Sequence, residues 1–205
     1  GGGYTYDIVN CSIESNQAGN AGGGVFIAAG ASAEIVNTTF WENSAGTTGG
    51  GMYNTGSSPA LTDCTFTNNS ASSGGGMYNT GSSSPTLTDC TFTGNSADEE
   101  GGGMYNLESS SPALTRCTFT ENSAEYGGGG GMSNTSSSPN LTDCTFTSNS
   151  AIGPFGGGGG MYNDFSSPTL TNCTFTGNST DEDGGGMCNM DFSSPTLTDC
   201  TFTGN

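Results

Sequence analysis

The sequence predicts an all-β chain wound as a single-stranded parallel β-helix, a solenoid of about eight coils with three short strands in each. Three observations carry this reading. One unit of 26–29 residues recurs along all 205 residues. No window places apolar residues at i, i+3, i+4 and i+7, and the clusters among the 37 glycines would unravel any helix. Leu, Ile, Val and Phe together make only about 13% of the chain, against a net charge of −18. A chain so composed stays unfolded unless neighbouring units bury both flanks of every unit, which stacked coils do.

Each coil opens on a glycine run and an apolar or aromatic pair, as in Gly49-Gly50-Gly51-Met52-Tyr53 and Gly101-Gly102-Gly103-Met104-Tyr105. We read Gly-Gly-Met-Tyr as the first strand. A serine-rich stretch and a proline follow, and Pro-x-Leu-Thr, as at Pro59–Thr62, is the second. Proline at the head of a strand costs no ladder hydrogen bond. The third is Cys-Thr-Phe-Thr, as at Cys64–Thr67. Leu61 and Cys64 are three apart, which breaks the strand period of two. A corner at Thr62-Asp63 restores it and turns Leu61, Cys64 and Phe66 all inward, and Asp or Asn tolerates the left-handed backbone such a corner needs.

The slot after each corner holds Cys11, Thr38, Cys64, Cys90, Cys117, Cys144, Cys173 and Cys200. Leu, Cys, Phe and Met therefore form inward columns. Coils begin near 1, 22, 49, 74, 101, 127, 156 and 184 within a single domain over 1–205. Rungs about 4.8 Å apart give eight coils a length of roughly 38 Å. Leucine-rich repeats have a similar period but a leucine density this chain lacks, and the nine-residue spacing of calcium-binding β-rolls is absent.

Composition narrows the chemistry. One basic residue, Arg116, stands against 19 acidic ones, with no Lys and no His. That removes phosphate-loop and Schiff-base lysines, imidazole-based triads and imidazole metal sites. So acidic a surface is repelled by the phosphates of nucleic acids. No apolar run approaches the ~18–20 residues of a transmembrane helix, so no membrane insertion is expected. Glycoside hydrolysis needs paired carboxylates, whereas the acids here fall single file at corners and in loops. No enzyme activity, no catalytic residue, no metal and no cofactor is expected.

After each third strand stands Phe-x-x-Asn, at Phe40/Asn43, Phe66/Asn69, Phe92/Asn95, Phe119/Asn122, Phe146/Asn149, Phe175/Asn178 and Phe202/Asn205, with Ile13/Asn16 as the first copy. Over its whole length the unit resembles the Gly-Gly-Ala-aliphatic and Phe-x-x-Asn repeats of the chlamydial polymorphic outer-membrane proteins and related bacterial β-helix proteins. Its glycine half departs from that pattern, reading Gly-Gly-Gly-Met. The resemblance implies a right-handed helix, a surface-exposed or secreted location, and often adhesion.

Several constellations remain. One inward cysteine per coil reads as a small core hydrophobe with a free thiol, because side chains in a parallel in-register column all point the same way. Cys188, in a tyrosine slot, is expected to be exposed. Thr65/Thr67, Thr91/Thr93, Thr118/Thr120, Thr145/Thr147, Thr174/Thr176 and Thr201/Thr203 form two outward columns resembling the faces of ice-binding solenoids, or simply reflect strand propensity. Tyr53, Tyr78, Tyr105 and Tyr162, with Phe26, form an outward aromatic column suited to sugars or a neighbouring chain, interrupted by Ser133 and Cys188.

The corner column reads Asn10, Asn37, Asp63, Asp89, Arg116, Asp143, Asn172 and Asp199, so Arg116 relieves repulsion between Asp89 and Asp143. The acidic loops Asp98–Glu100 and Asp181–Asp183 read as solvated, or as weak calcium sites. Sequons occur at Asn10, Asn37, Asn68, Asn134, Asn140, Asn172 and Asn178. The chain begins in a glycine run and stops where another coil would start, which is expected of a piece of a longer solenoid or of a protomer stacking head to tail. The expected protein is a non-catalytic extracellular or cell-surface fibre or adhesin stalk. An ice-binding face and a glycan- or host-surface-binding face are the alternatives.

Overall fold

The structure is a computed structural model, and it describes residues 5–154 and 156–205. Among these there is no helix; every strand is parallel to its neighbours. The chain winds as a right-handed parallel β-helix with four sheets. The first sheet holds eight strands, from Thr5–Val9 through Ala60–Thr62 to Thr196–Thr198, and carries the leucines. The second, from Ser12–Glu14 to Thr201–Thr203, has eight strands and carries the phenylalanines. Two seven-stranded sheets complete the turn, one of Ser-Ala pairs such as Ser96–Ala97 and one of Met-Tyr-Asn strands such as Met52–Thr55. Eight rungs on two faces and seven on the other two make about seven full coils.

Two expectations need correction. Each coil has four strands, not three. The extra one is only two residues long, too short to show any alternation in sequence. The glycines are also not strand. Gly101 turns the chain at φ +68°, and Gly102 and Gly103 carry it through a bend before the strand Met104–Leu107 begins. A Cβ on Gly103 would stand 2.5 Å from the carbonyl oxygen of Gly131 and 2.9 Å from the Phe119 ring. Glycine is therefore required because two sides of the solenoid meet there with no room for a methyl group.

The corner between the leucine and phenylalanine sheets is narrower than expected: Thr62 belongs to the strand and Asp63 alone makes the turn. All eight corner residues, Arg116 included, adopt φ between 46° and 55°. That single left-handed residue turns Leu61, Cys64 and Phe66 all inward, each no more than 1% exposed. Phe40 through Phe202 stack with ring centroids 4.4–4.7 Å apart and planes within 1–4° of parallel. Met52, Met77, Met104, Met132 and Met161 are wholly buried opposite them. Each unit thus buries its few apolar groups against copies of themselves.

Two polar ladders run inside the same core. The Asn of Phe-x-x-Asn is buried from Asn43 to Asn178. Asn95 donates from both its backbone N–H and its Nδ2 to Asn122 Oδ1, at 3.0 and 2.9 Å, and its Nδ2 also reaches the Phe66 carbonyl at 2.9 Å. The pattern repeats at Asn43, Asn69, Asn122, Asn149 and Asn178. A second ladder, absent from the sequence reading, links Asn54, Asn79, Asn106, Asn134, Asn163 and Asn189 through Nδ2–Oδ1 bonds of 2.8–2.9 Å. Burying an amide is favourable only when it is hydrogen-bonded, and stacked asparagines pair donor to acceptor along the whole axis.

Candidate functional site

The phenylalanine sheet places its threonines outward in strict register. One column runs Thr65, Thr91, Thr118, Thr145, Thr174 and Thr201, the other Thr67, Thr93, Thr120, Thr147, Thr176 and Thr203. Below them Thr39 continues the first column but Trp41 breaks the second, and Ser12 and Glu14 replace both threonines one coil further. Most are half-exposed, and the hydroxyls of Thr118 and Thr91 stand 3.3 Å apart. Across the corner Thr62, Thr88, Thr115, Thr142, Thr171 and Thr198 add a third outward column. It was legible in the repeated Leu-Thr pair but hidden by assigning that threonine to the corner.

The aromatic column is present but sunken. Phe26, Tyr53 and Tyr78 stack at 5.0 and 5.5 Å, and Tyr105 meets Tyr78 edge-on at 5.2 Å. Tyr53, Tyr105 and Tyr162 are half-buried and Tyr78 is only 8% exposed. Burial, with nearby carboxylates adding to it, pushes the Tyr78 and Tyr162 hydroxyls up to about 12. The rings stand on the opposite face from the methionines, but the glycine bends pack on their Cβ atoms and cover them. Phe26, 53% exposed, is the open end of the column.

Arg116 is hydrogen-bonded to Asp89, and Asp143 attracts it from the other side without a direct contact. Its Nε and Nη2 each lie 2.7 Å from a carboxylate oxygen of Asp89, and this pairing holds the Asp89 carboxyl below the usual range. Asp143 instead accepts from Asn172 Nδ2 at 3.2 Å. The acidic loops are not uniformly solvated either. Ser73 donates to Glu99 at 3.1 Å, and burial pushes the Glu100 carboxyl up. Among the described residues no three His, Cys, Asp or Glu side chains converge as metal ligands.

The core thiols of Cys64, Cys90, Cys117, Cys144 and Cys173 are free and no more than 1% exposed, each held by backbone carbonyls, as in Cys64 to Thr62 at 3.3 Å. Cys188 is 7% exposed, contrary to expectation, because the short thiol fits into the wall where a Cβ on Gly157 would meet it. A thiol reagent added to the native protein should therefore modify Cys11 at once and Cys200 more slowly. All eight cysteines should react only in denaturant, and fast native labelling of more than these two would contradict the packing. Of the sequons, Asn134 and Asn178 are buried in the ladders; Asn10, Asn37, Asn68, Asn140 and Asn172 are exposed.

No helix among the described residues is long and apolar enough to cross a membrane. No curated protein matches the sequence at a significant level. A family model described as the right handed beta helix region matches residues 1–164. That span covers most of the coils whose parallel registers, left-handed corners and stacked columns are set out above. The chain belongs to the right-handed β-helix family.

Proposed function

We propose that the chain is a non-catalytic structural solenoid, a rigid segment of a fibre or stalk outside the cell or on its surface. The observation that carries this reading is the unbroken set of axial ladders: phenylalanine rings, two asparagine series and in-register strands all bind coil to coil. Leu197 and Phe202 on the last rung are 40% and 42% exposed, presenting the same positions that are buried between coils elsewhere. A second copy stacking head to tail would bury them as the inner coils bury Leu170 and Phe175. The resemblance of the repeat to those of outer-membrane proteins is what favours display outside the cell.

Small-angle scattering with sedimentation tests it. The expected result is a rod whose length grows with concentration at constant cross-section, and growth should stop in Phe202→Glu, which charges the seat of the next coil. A rod of fixed length at every concentration would remove self-stacking.

The paired threonine columns, in register over six coils, favour ice binding as a second reading. Thermal hysteresis should then appear in the unmodified protein and fall in Thr91→Tyr and Thr118→Tyr. An unmodified protein without hysteresis removes it. Glycan binding through the tyrosines has less support, because Tyr78 is buried.

A further inference from the structure

The tyrosine column is interrupted at Ser133 and again at Cys188, and the first interruption is chemically unusual. Ser133 stands in register between Tyr105 on one side and Tyr162 on the other. It is wholly buried, and its hydroxyl makes no hydrogen bond of ordinary geometry, its neighbour being the Glu100 carboxyl. Among the described residues four buried side-chain polar atoms lack a partner, and three belong to this neighbourhood: Ser133 Oγ, Glu100 Oε2 and Asp164 Oδ1. Leaving such atoms bare costs about 1–3 kcal/mol each in general. Three together imply an occupant.

Bare backbone packs closely against the same groups. Gly127 and Gly128 pass beside the gap. A Cβ on Gly127 would stand 2.5 Å from Glu100 Cγ, and one on Gly128 would stand 2.5 Å from the Tyr162 ring. The Tyr105 hydroxyl lies near the Glu100 carboxyl and 3.4 Å from Thr135 Oγ1, and Asp164 pairs in register with Thr135. A surface cavity of about 310 Å³, lined by Ser73, Glu99, Glu100, Tyr105, Tyr126 and Gly127, adjoins Glu100.

We propose that Glu100, Ser133 and Asp164 form a binding site for one hard cation of the calcium class, with the Tyr105 and Thr135 hydroxyls beside it. Glu100, Ser133, Asp164, Tyr105 and Thr135 offer carboxylate and hydroxyl oxygens, the donor set that suits calcium. Two carboxylates near one another repel, and a cation between them reverses the sign of that interaction. Burial, with the neighbouring Glu99 and Asp164 adding to it, raises the Glu100 carboxyl, while the Tyr105 and Ser133 hydroxyls beside it favour the charged form. The net charge of −18 concentrates cations at the surface and supplies them to the entrance.

Terbium, a luminescent stand-in for calcium, reports the site directly, because Tyr105 and Tyr162 adjoin it and sensitise emission. The expected result is saturable emission displaced by calcium. Affinity should be weaker by roughly tenfold or more in Glu100→Gln, and likewise in Ser133→Tyr, which fills the gap with the residue of the other coils. Asp143→Asn, on the exposed corner, should leave it unchanged. Circular dichroism checks folding, and if Glu100→Gln does not fold, Ser133→Tyr decides. No saturable emission, or equal emission in the variants and the unmodified protein, overturns the proposal in favour of diffuse attraction to an acidic surface. Equally decisive against it would be a Glu100→Gln protein that is more stable and indifferent to calcium, since a proton would then satisfy the carboxyl.

Discussion

Asn122→Ala is expected to cost about 4 kcal/mol of stability, although it removes no charge and little apolar surface. Its Oδ1 accepts from the N–H and Nδ2 of Asn95 at 3.0 and 2.9 Å, and its Nδ2 donates to Phe92 O at 3.0 Å and to Asn149 Oδ1 at 2.9 Å. Alanine strands two donors of Asn95 and the Phe92 carbonyl in a core that water does not reach. Because a solenoid is held by nearest-neighbour contacts, a break in its middle should also divide the cooperative unit. Urea unfolding followed by circular dichroism should shift to lower concentration and broaden into two steps. Glu121→Ala, one residue away on the exposed corner, is the comparison and should change little. An Asn122→Ala protein as stable as the parent would mean the ladder follows the fold without stabilising it.

Gly102→Ala should be at least as damaging, for a steric reason. A Cβ there overlaps the Ser123 carbonyl and lies 2.6 Å from the carbonyl oxygen of Gly130, and both obstacles are backbone held in ladders. No rotamer change relieves this, so the coil must open; the expected loss exceeds about 3 kcal/mol, with aggregation on expression. Gly177→Asn provides the contrast. Gly177 also has a positive φ, of 61°, but a Cβ there would meet only Ser148 Oγ at 3.8 Å, and Asn68 holds the equivalent corner at φ 53°. That change should be near neutral. Similar melting temperatures for the two variants would refute the claim that glycine is required by contact rather than by conformation.

Much of this was legible in the sequence, because repetition makes each residue type vote several times. The Leu, Cys, Phe and Met columns follow from their spacing alone, and the left-handed corner follows from Leu61 and Cys64 being three apart with Asp63 between them. What escaped has physical causes. A Ser-Ala strand of two residues has no periodicity to detect. Glycine before Met104 reads equally as strand or bend until the opposite wall is seen. The Asn54 to Asn189 ladder is invisible because buried and exposed asparagines look alike in a polar sequence. Ser133 was noticed as a gap, but only three dimensions bring Glu100 and Asp164, 33 positions before it and 31 after, to the same place.

The identity of successive rungs has a consequence for inheritance. Asn95 and Asn122 occupy the same position one turn apart, 27 residues along the chain, and Thr91 lies directly against Thr118. Excising or duplicating one such interval in the gene would rejoin a corner to a corner and an arm of the winding to its own likeness, with no seam. Recombination between near-identical segments can therefore lengthen or shorten the molecule in whole turns while leaving its cross-section untouched. Reach becomes a quantity that mutation adjusts by counting.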